Sequence, residues 1–377
     1  VADRECCHVV TDGGDGAADL LARDVGDRTR VQPGAEVRVD EVDADGLGLD
    51  QDLTRTRGGL GAFDEGQDFR TAEFGDFDGV HGTYHPNVKL ARPDIRHPRV
   101  VLAGCQALVE GDGDDDGLVD ALRGRGLHAH WLAWDDPATL QADLVILRAT
   151  WDYTERHDEF LAWTKQVRNL LNAPAVVEWN SDKRYLADLA AAGVPTVPSG
   201  FFAPGETVAV PRGEVVVKPA VGAGSVGAQR FTDAAAAAAH AAILQAGGST
   251  ALIQPYDERI EAGETALVFL AGKQSHAFIK GPMLPPPGGS VQMHESGTYA
   301  EEQLQPADPD FELWDVGYAT LAAAAAHLGI EPTEFLYARV DVIGDRRDPR
   351  LLELELVEPG LGWRQLAEPE RALAQRQ

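Results

Sequence analysis

The feature that most constrains this chain is a glycine loop opening directly from an apolar strand. "VVVKPAVGAGSVGAQRF", Val215 to Phe231, places Gly222, Gly224 and Gly227 in G-x-G-x-x-G spacing. A dinucleotide fingerprint with that spacing needs a helix that begins at the loop and an acidic residue about 20 positions further on. Here the loop runs into "AQRF", a helix cap arrives only at Thr232–Asp233, and the distant position is occupied by Gly247–Gly248. The oxidoreductase reading therefore fails. No Gly-Lys-Ser/Thr follows, so the loop is not a Walker A motif. A kinase lysine comes after its glycine loop, whereas Lys218 comes before this one. What remains is a strand, a lysine, a glycine loop and a second, antiparallel strand. Glycines let backbone N–H groups come close to phosphate oxygens. Ser225 adds a hydroxyl donor and Lys218 a point charge. A flexible hairpin with an exposed lysine is the plain alternative.

The C-terminal strands are more specific. In "FLYARVDVI", Tyr337, Arg339 and Asp341 share one face by period-two alternation; in "LLELELV", Glu353 and Glu355 share a face with leucines on the other. A hairpin centred on the turn Gly344–Arg350 sets Asp341 near Glu353 and Arg339 near Glu355. Three carboxylates beside one arginine are costly without a further cation. Hard oxygen ligands of this type suit Mg²⁺, with Mn²⁺ as an alternative, and Mg²⁺ commonly bridges carboxylates and substrate phosphates. An edge hairpin with its charges in water is the competing reading.

The net charge of −28 over 377 residues argues against nucleic acid and anionic membranes as partners. Three cysteines, Cys6, Cys7 and Cys105, form neither a disulfide framework nor a zinc spacing. No run of 18 apolar residues and no secretory signal are visible, so the expected location is cytoplasmic, and a homo-oligomer is compatible with it. Residues 1–98 are rich in Asp, Gly and Arg without apolar periodicity, and read as a disordered or mis-assigned extension. Strand–helix alternation over 99–180 predicts a small parallel α/β domain. Its third strand, "ADLVILRAT", leads to "HDEFLAWTKQVRNLL", read as one helix. Residues 181–248 and 249–377 read as two largely antiparallel α+β subdomains. The Pro/Gly-rich stretch 283–310 reads as a long aperiodic loop of the kind that covers active sites. The fold class is thus α/β plus α+β.

Taken together, these parts resemble the ATP-grasp superfamily in its glutathione-synthetase-like branch, over roughly 99–365. The resemblance implies Mg–ATP bound between two subdomains. It assigns Lys183 of "NSDKRYL" and Lys218 to the nucleotide phosphates, along with Gly222, Gly224, Ser225 and Gly227. It assigns Gln254, Pro255 and Tyr256 to the adenine hinge, Glu264 to the ribose, and Lys280 to the γ-phosphate. Asp341, Glu353 and Glu355 match the family's Asp, Glu and Asn metal ligands, Glu355 departing from the usual Asn. Three of the chain's six lysines fall on motif positions. "LRATWDYTERHDEFLAW" and "ELELVEPGLGWRQL" are similar to the cyclo-ligase subgroup that closes O-ureido-D-serine, with Gly360 where Ser is usual. The implied activity is an ATP-dependent carboxylate–amine or cyclo-ligase acting on a small amino-acid-like substrate, with Lys280 and Arg339 as catalytic cations. A nucleotide-binding protein of the same fold without turnover is the second reading. Because open α/β sheets gather ligands at the carboxyl ends of their strands, Arg148, Trp151 and Asp152 are candidate substrate contacts. His157 and His294 read as surface residues.

Overall fold

The computed structural model describes residues 97–375 apart from 290, 292, 296, 298 and 301. The extension expected over 1–98 lies outside the described residues except for its last two. The first layer is a parallel sheet. β1 (Arg99–Gly104), β2 (His128–Ala133), β3 (Leu144–Ala149) and the two-residue β4 (Leu170–Leu171) lie in the order β2-β1-β3-β4. β1 and β3 are near-continuous apolar runs and are buried along almost their whole length, the pattern of strands covered on both faces. α1 (Leu118–Gly124) joins β1 to β2, and α2 (His157–Thr164) lies between β3 and β4. The single helix expected across 157–171 is therefore too long. It stops at Thr164, and Leu170 and Leu171 instead pair with Val145 and Ile146. A free sheet edge that satisfies their backbone groups, with Leu170 buried, overrides the local helical pattern. α3 (Pro174–Asn180) follows with Pro174 at its first position, where a missing N–H costs nothing. α4 (Tyr185–Ala191) ends ahead of Gly193, whose φ is +92°.

The second sheet is antiparallel. β5 (Gly200–Phe202), β6 (Val215–Pro219), β7 (Gln229–Phe231) and β8 (Ala251–Pro255) take the order β5-β8-β6-β7. α5 (Ala234–Ala246) packs on it, and the Asp233 side chain accepts the Ala236 N–H at 2.7 Å. Because β8 belongs to this sheet, the small subdomain runs to Pro255, past the boundary at 248 suggested by the sequence.

The third sheet has the order β11-β10-β9-β12-β13, all antiparallel. Its strands are β9 (Glu264–Leu270), β10 (Lys273–Lys280), β11 (Leu304–Ala307), β12 (Tyr337–Ile343) and β13 (Arg350–Glu355). β9 turns into β10 through Ala271 and Gly272, both at positive φ, as a two-residue hairpin turn requires. β11 lies inside the stretch expected to be aperiodic: Leu304–Ala307 adds a strand to the edge of β10. One face of this sheet packs Leu267, Phe269 and Val340 against Trp314 and Leu321 of α6 (Phe311–Leu328). The other packs Ala266, Val268 and Phe278 in a cluster with Val100, Leu102 and Ile146 of the parallel sheet. Burial on both faces makes the five-stranded sheet a rigid platform, and β12 is buried at every position. α7 (Glu368–Ala374) lies near the C-terminus. No helix among the described residues is long and apolar enough to cross a membrane.

Candidate active site

A cleft of about 500 Å³ is lined by residues of the two antiparallel sheets and of the segments that follow β1 and β3, among them Lys218, Gly222, Gly224, Ser225, Gln254, Glu264, Lys280, Arg339, Glu353 and Glu355. The glycine loop spans the antiparallel pair β6–β7. Gly224, Ser225 and Gly227 all hold positive φ (57°, 61° and 75°), the succession that turns backbone N–H groups toward one side and makes an anion cradle. Lys218 sits at the end of β6. Lys183, from the turn before α4, donates to the Gly222 carbonyl at 2.6 Å and pairs with Glu353 at 2.9 Å. Lys218 approaches the other oxygen of Glu353 at 3.8 Å.

The carboxylate row is built by strand register. Asp341 stands opposite Glu353 and Arg339 opposite Glu355 across β12–β13. Arg339 donates to both oxygens of Asp341 (2.9 and 3.0 Å), to Glu355 at 2.5 Å and to the Gly360 carbonyl at 2.9 Å. Lys280, the last residue of β10, pairs with Asp341 at 2.7 Å and Glu264 at 3.1 Å. Burial pushes Asp341 up, but Arg339 and Lys280 outweigh it and hold the carboxyl below its usual range. Burial likewise opposes Glu353, and Lys183 and Lys218 overcome it. Glu355 goes the other way. Burial raises it to about 7, Asp341 and Glu353 add to the rise, and Arg339 only partly offsets them. Glu358 reaches about 8 through burial and the nearby Glu355. Lys218 is lowered by burial, with Glu353 pulling the other way and Lys183 adding to the fall.

Asp341 has both oxygens occupied by cations. Among the described residues no three His, Cys, Asp or Glu side chains stand together as a ready-made metal cage. Glu353 and Glu355 alternate along β13 beside the phosphate-loop lysines. Glu355, raised although Arg339 touches it, is a carboxylate short of positive charge. Such an oxygen donor set fits a hard divalent cation arriving with phosphates.

Several expected contacts are not brought into the cleft. Pro255 and Tyr256 do not line it. The Tyr256 N–H is taken by the Glu214 carbonyl, and the ring lies under Arg230 at 3.6 Å. Gln254 lines the cleft and donates to Ser199 at 2.9 Å. Arg148 is buried and bidentate on Asp115 (2.9 and 3.1 Å), with a third bond to the Pro359 carbonyl. It braces the fold and does not line the cleft. Asp152 accepts from the Trp134 indole at 2.7 Å, away from the cleft lining. Of the three strand-end candidates, only Trp151 lines the cleft, and its ring meets Tyr299 at 5.0 Å. His294, expected at the surface, also lines the cleft and stacks on Tyr299 at 4.7 Å. His157 is half-buried against Ser181. Glu302, Tyr153, Glu358 and Asp114 also line the cleft, and the sequence reading had passed over them. Asp114 accepts the N–H groups of Leu361 and Gly362 at 3.0 and 2.8 Å.

A glycine-loop hairpin on a small antiparallel sheet, facing a carboxylate-bearing larger sheet across a cleft, is the arrangement of the ATP-grasp fold. Residues 100–172 match the family described as D-cycloserine synthetase DcsG, N-terminal domain. The cycloserine biosynthesis protein DcsG of Streptomyces lavendulae is 39% identical over 269 residues, 66% of this chain and 88% of that protein. The crystal structure of D-cycloserine synthetase DcsG superposes with a TM-score of 0.65 at 34% identity, covering 74% of this chain and 98% of that one. D-alanine–D-alanine ligase from Bacillus anthracis shares the fold at 15% identity, with a TM-score of 0.52 over 74% of this chain and 95% of its own. The chain belongs to the DcsG family of ATP-grasp enzymes, and is an ATP-dependent ligase forming C–N bonds.

Proposed function

We propose that the cleft binds Mg–ATP and activates an acyl group of a small amino-acid-like substrate as an acyl phosphate, which a substrate amine then displaces. If the substrate is a ureido-amino acid closed to a ring, as the DcsG family suggests, a phosphorylated ureido oxygen replaces the acyl phosphate. The observation that carries this is the interleaving of Lys183, Lys218, Lys280 and Arg339 with Glu353 and Glu355 in one cleft beside a glycine loop, with Asp341 fully buried behind Lys280 and Arg339 and not itself lining the cleft. Lys183 and Lys218, next to the loop, suit the α- and β-phosphates. Lys280 and Arg339, on the large sheet, suit the γ-phosphate and the developing oxyanion. Gln254 and Glu264 lie where the nucleoside would rest. Glu353 and Glu355 would hold Mg²⁺, and Asp341 would keep Lys280 and Arg339 in position. The cation would neutralise phosphate charge and bridge carboxylate to phosphate oxygens. In such chemistry the side chains position groups and neutralise charge and form no covalent bond themselves. Losing one cation costs on the order of 10²–10³ in rate, if the loss of an oxyanion donor is a guide. The test is an ADP-release screen with Mg–ATP over amino acids and ureido-amino acids. Turnover with any of them supports the reading; none across the panel refutes it.

A further inference from the structure

The carboxylate row does not end at Glu355. Three residues on, in the strap after β13, Glu358 lines the same cleft with 9% of its surface exposed. Among the described residues its carboxylate has no ion-pair partner, and Lys183 and Arg339 act on it only from a distance. The nearest cations are committed elsewhere: Lys183 to Glu353 and the Gly222 carbonyl, Arg339 to Asp341, Glu355 and the Gly360 carbonyl. Nor is the strap loose. On one side of Glu358 the Val357 carbonyl accepts the Tyr337 hydroxyl at 2.8 Å; on the other, the Pro359 carbonyl accepts from Arg148 at 2.9 Å. Beyond them Asp114 holds the N–H groups of Leu361 and Gly362. The fold thus fixes a nearly buried carboxyl in place and supplies no ion-pair partner to it, an arrangement that costs stability. Beside it stands Tyr153, also lining the cleft and 4% exposed, whose hydroxyl makes no hydrogen bond among the described residues. Glu358 is the charge that acts most strongly on that tyrosine.

We infer that Glu358 is the counter-ion for the amino group of the acceptor. The acceptor is then a primary amine of amino-acid size, its ammonium seated on Glu358 with the Tyr153 hydroxyl as a second contact. Gly360 and Trp151 border the same space. This deepens the ligase reading and rests on it. The phosphate loop and the lysines recognise the nucleotide, and a separate group on the strap recognises the amine.

The experiment is titration calorimetry on the full chain saturated with Mg–AMPPNP. The probes are D-alanine, D-serine and D-cycloserine, each against its des-amino counterpart (propionate, 3-hydroxypropionate, isoxazolidin-3-one). At least one amine should bind the wild-type protein about 10-fold or more tighter than its counterpart, the usual worth of a hydrogen bond to a charged group. Glu358→Gln should erase that preference, and without ligand it should melt at a higher temperature than wild type, because the buried, unpartnered acid whose carboxyl the fold forces to hold a proton is gone. Tyr153→Phe should weaken the amine while keeping the preference. A Glu358→Gln protein that still prefers the amine, or that melts lower than wild type, overturns the inference. AMPPNP binding with no amine preference in the wild type overturns it as well and leaves the nucleotide site standing. Failure of the wild type to bind AMPPNP refutes the ligase reading itself, and the inference with it.

Discussion

Asp341→Asn tests whether the charge network of the cleft also holds the fold together. The Asp341 side chain has no exposed surface. One oxygen accepts Arg339 Nε at 2.9 Å, and the other accepts Lys280 Nζ at 2.7 Å and Arg339 Nη2 at 3.0 Å. Asparagine keeps the shape and removes the charge. Two buried cations then lose their shared partner, although Lys280 keeps Glu264 and Arg339 keeps Glu355. Breaking a buried pair from one side costs ~3–5 kcal/mol when the remaining charge is stranded. Since each cation retains one carboxylate, the lower end, about 3 kcal/mol, is expected. At ~2–4 °C per kcal/mol for domains of this size, the melting temperature should fall by about 6–12 °C. Thermal unfolding followed by circular dichroism near neutral pH, without ligands, reads this directly. Combining the change with Lys280→Met should recover part of the loss, because the pair couples by ~0.5–3 kcal/mol. A single mutant melting within about 2 °C of wild type would show that the network does not stabilise the fold, and the argument from burial would fail.

Other expectations follow from the same geometry. Glu353→Gln, which leaves the buried Lys183 without its carboxylate, should cut Mg-dependent ADP formation by about 10²-fold or more and lower the melting temperature as well; unchanged turnover would remove Glu353 from the metal site. Arg148→Met strands Asp115 in a buried position and should cost ~3–5 kcal/mol of stability. A raised KM with an unchanged melting temperature would restore Arg148 as a substrate contact. Glu355, raised to about 7 from an ordinary 4.5, holds a proton in the folded state that the unfolded chain has already released. It therefore costs stability as pH rises through that window. A cation at Glu355 must displace the same proton, so apparent Mg²⁺ affinity should rise across that range and Glu355→Asn should flatten the rise. A pH-independent affinity in the wild type would place the metal elsewhere.

What the sequence made legible were the regular elements whose geometry repeats. Period-two alternation on β12 and β13, with a turn at a known centre, was enough to set Asp341 opposite Glu353 and Arg339 opposite Glu355, because antiparallel register counts outward from the turn. The bulge that interrupts the pairing falls between Asp341 and Val342, on the turn side of both pairs. Where chemistry depends on an irregular segment or a distant partner, alternation says nothing. Arg148 ends a strand at the position where ligands gather, but its partner is Asp115, in a loop 33 residues away. Trp151 meets Tyr299 through a stretch with no period at all. Glu358 follows the last strand in a strap whose path is set by Asp114, Arg148 and Tyr337, none of them local to it. Leu170 and Leu171 continue a helical pattern and become a strand because a sheet edge was available.

The contacts within the cleft also bear on how a nucleotide and a metal would enter together. Lys183, Lys218, Lys280 and Arg339 are compensated by Glu353, Glu264, Asp341 and Glu355. Every cation suited to phosphate is thus already leaning on a carboxylate. On the proposed reading, a polyphosphate binding alone would draw Lys183 and Lys218 away from Glu353 and leave that half-buried carboxylate uncompensated, the costly half of a broken ion pair. A divalent cation arriving alone would meet carboxylates whose oxygens Lys183, Lys280 and Arg339 already occupy. Arriving together, each meets the group that the other displaces: phosphates take over the lysines, and the cation takes over the carboxylates. On that reading, the same interleaving that makes the apo cleft self-neutral would tie nucleotide affinity to the divalent cation, and it follows from strand register in β12 and β13 together with the placement of two lysines beside the glycine loop.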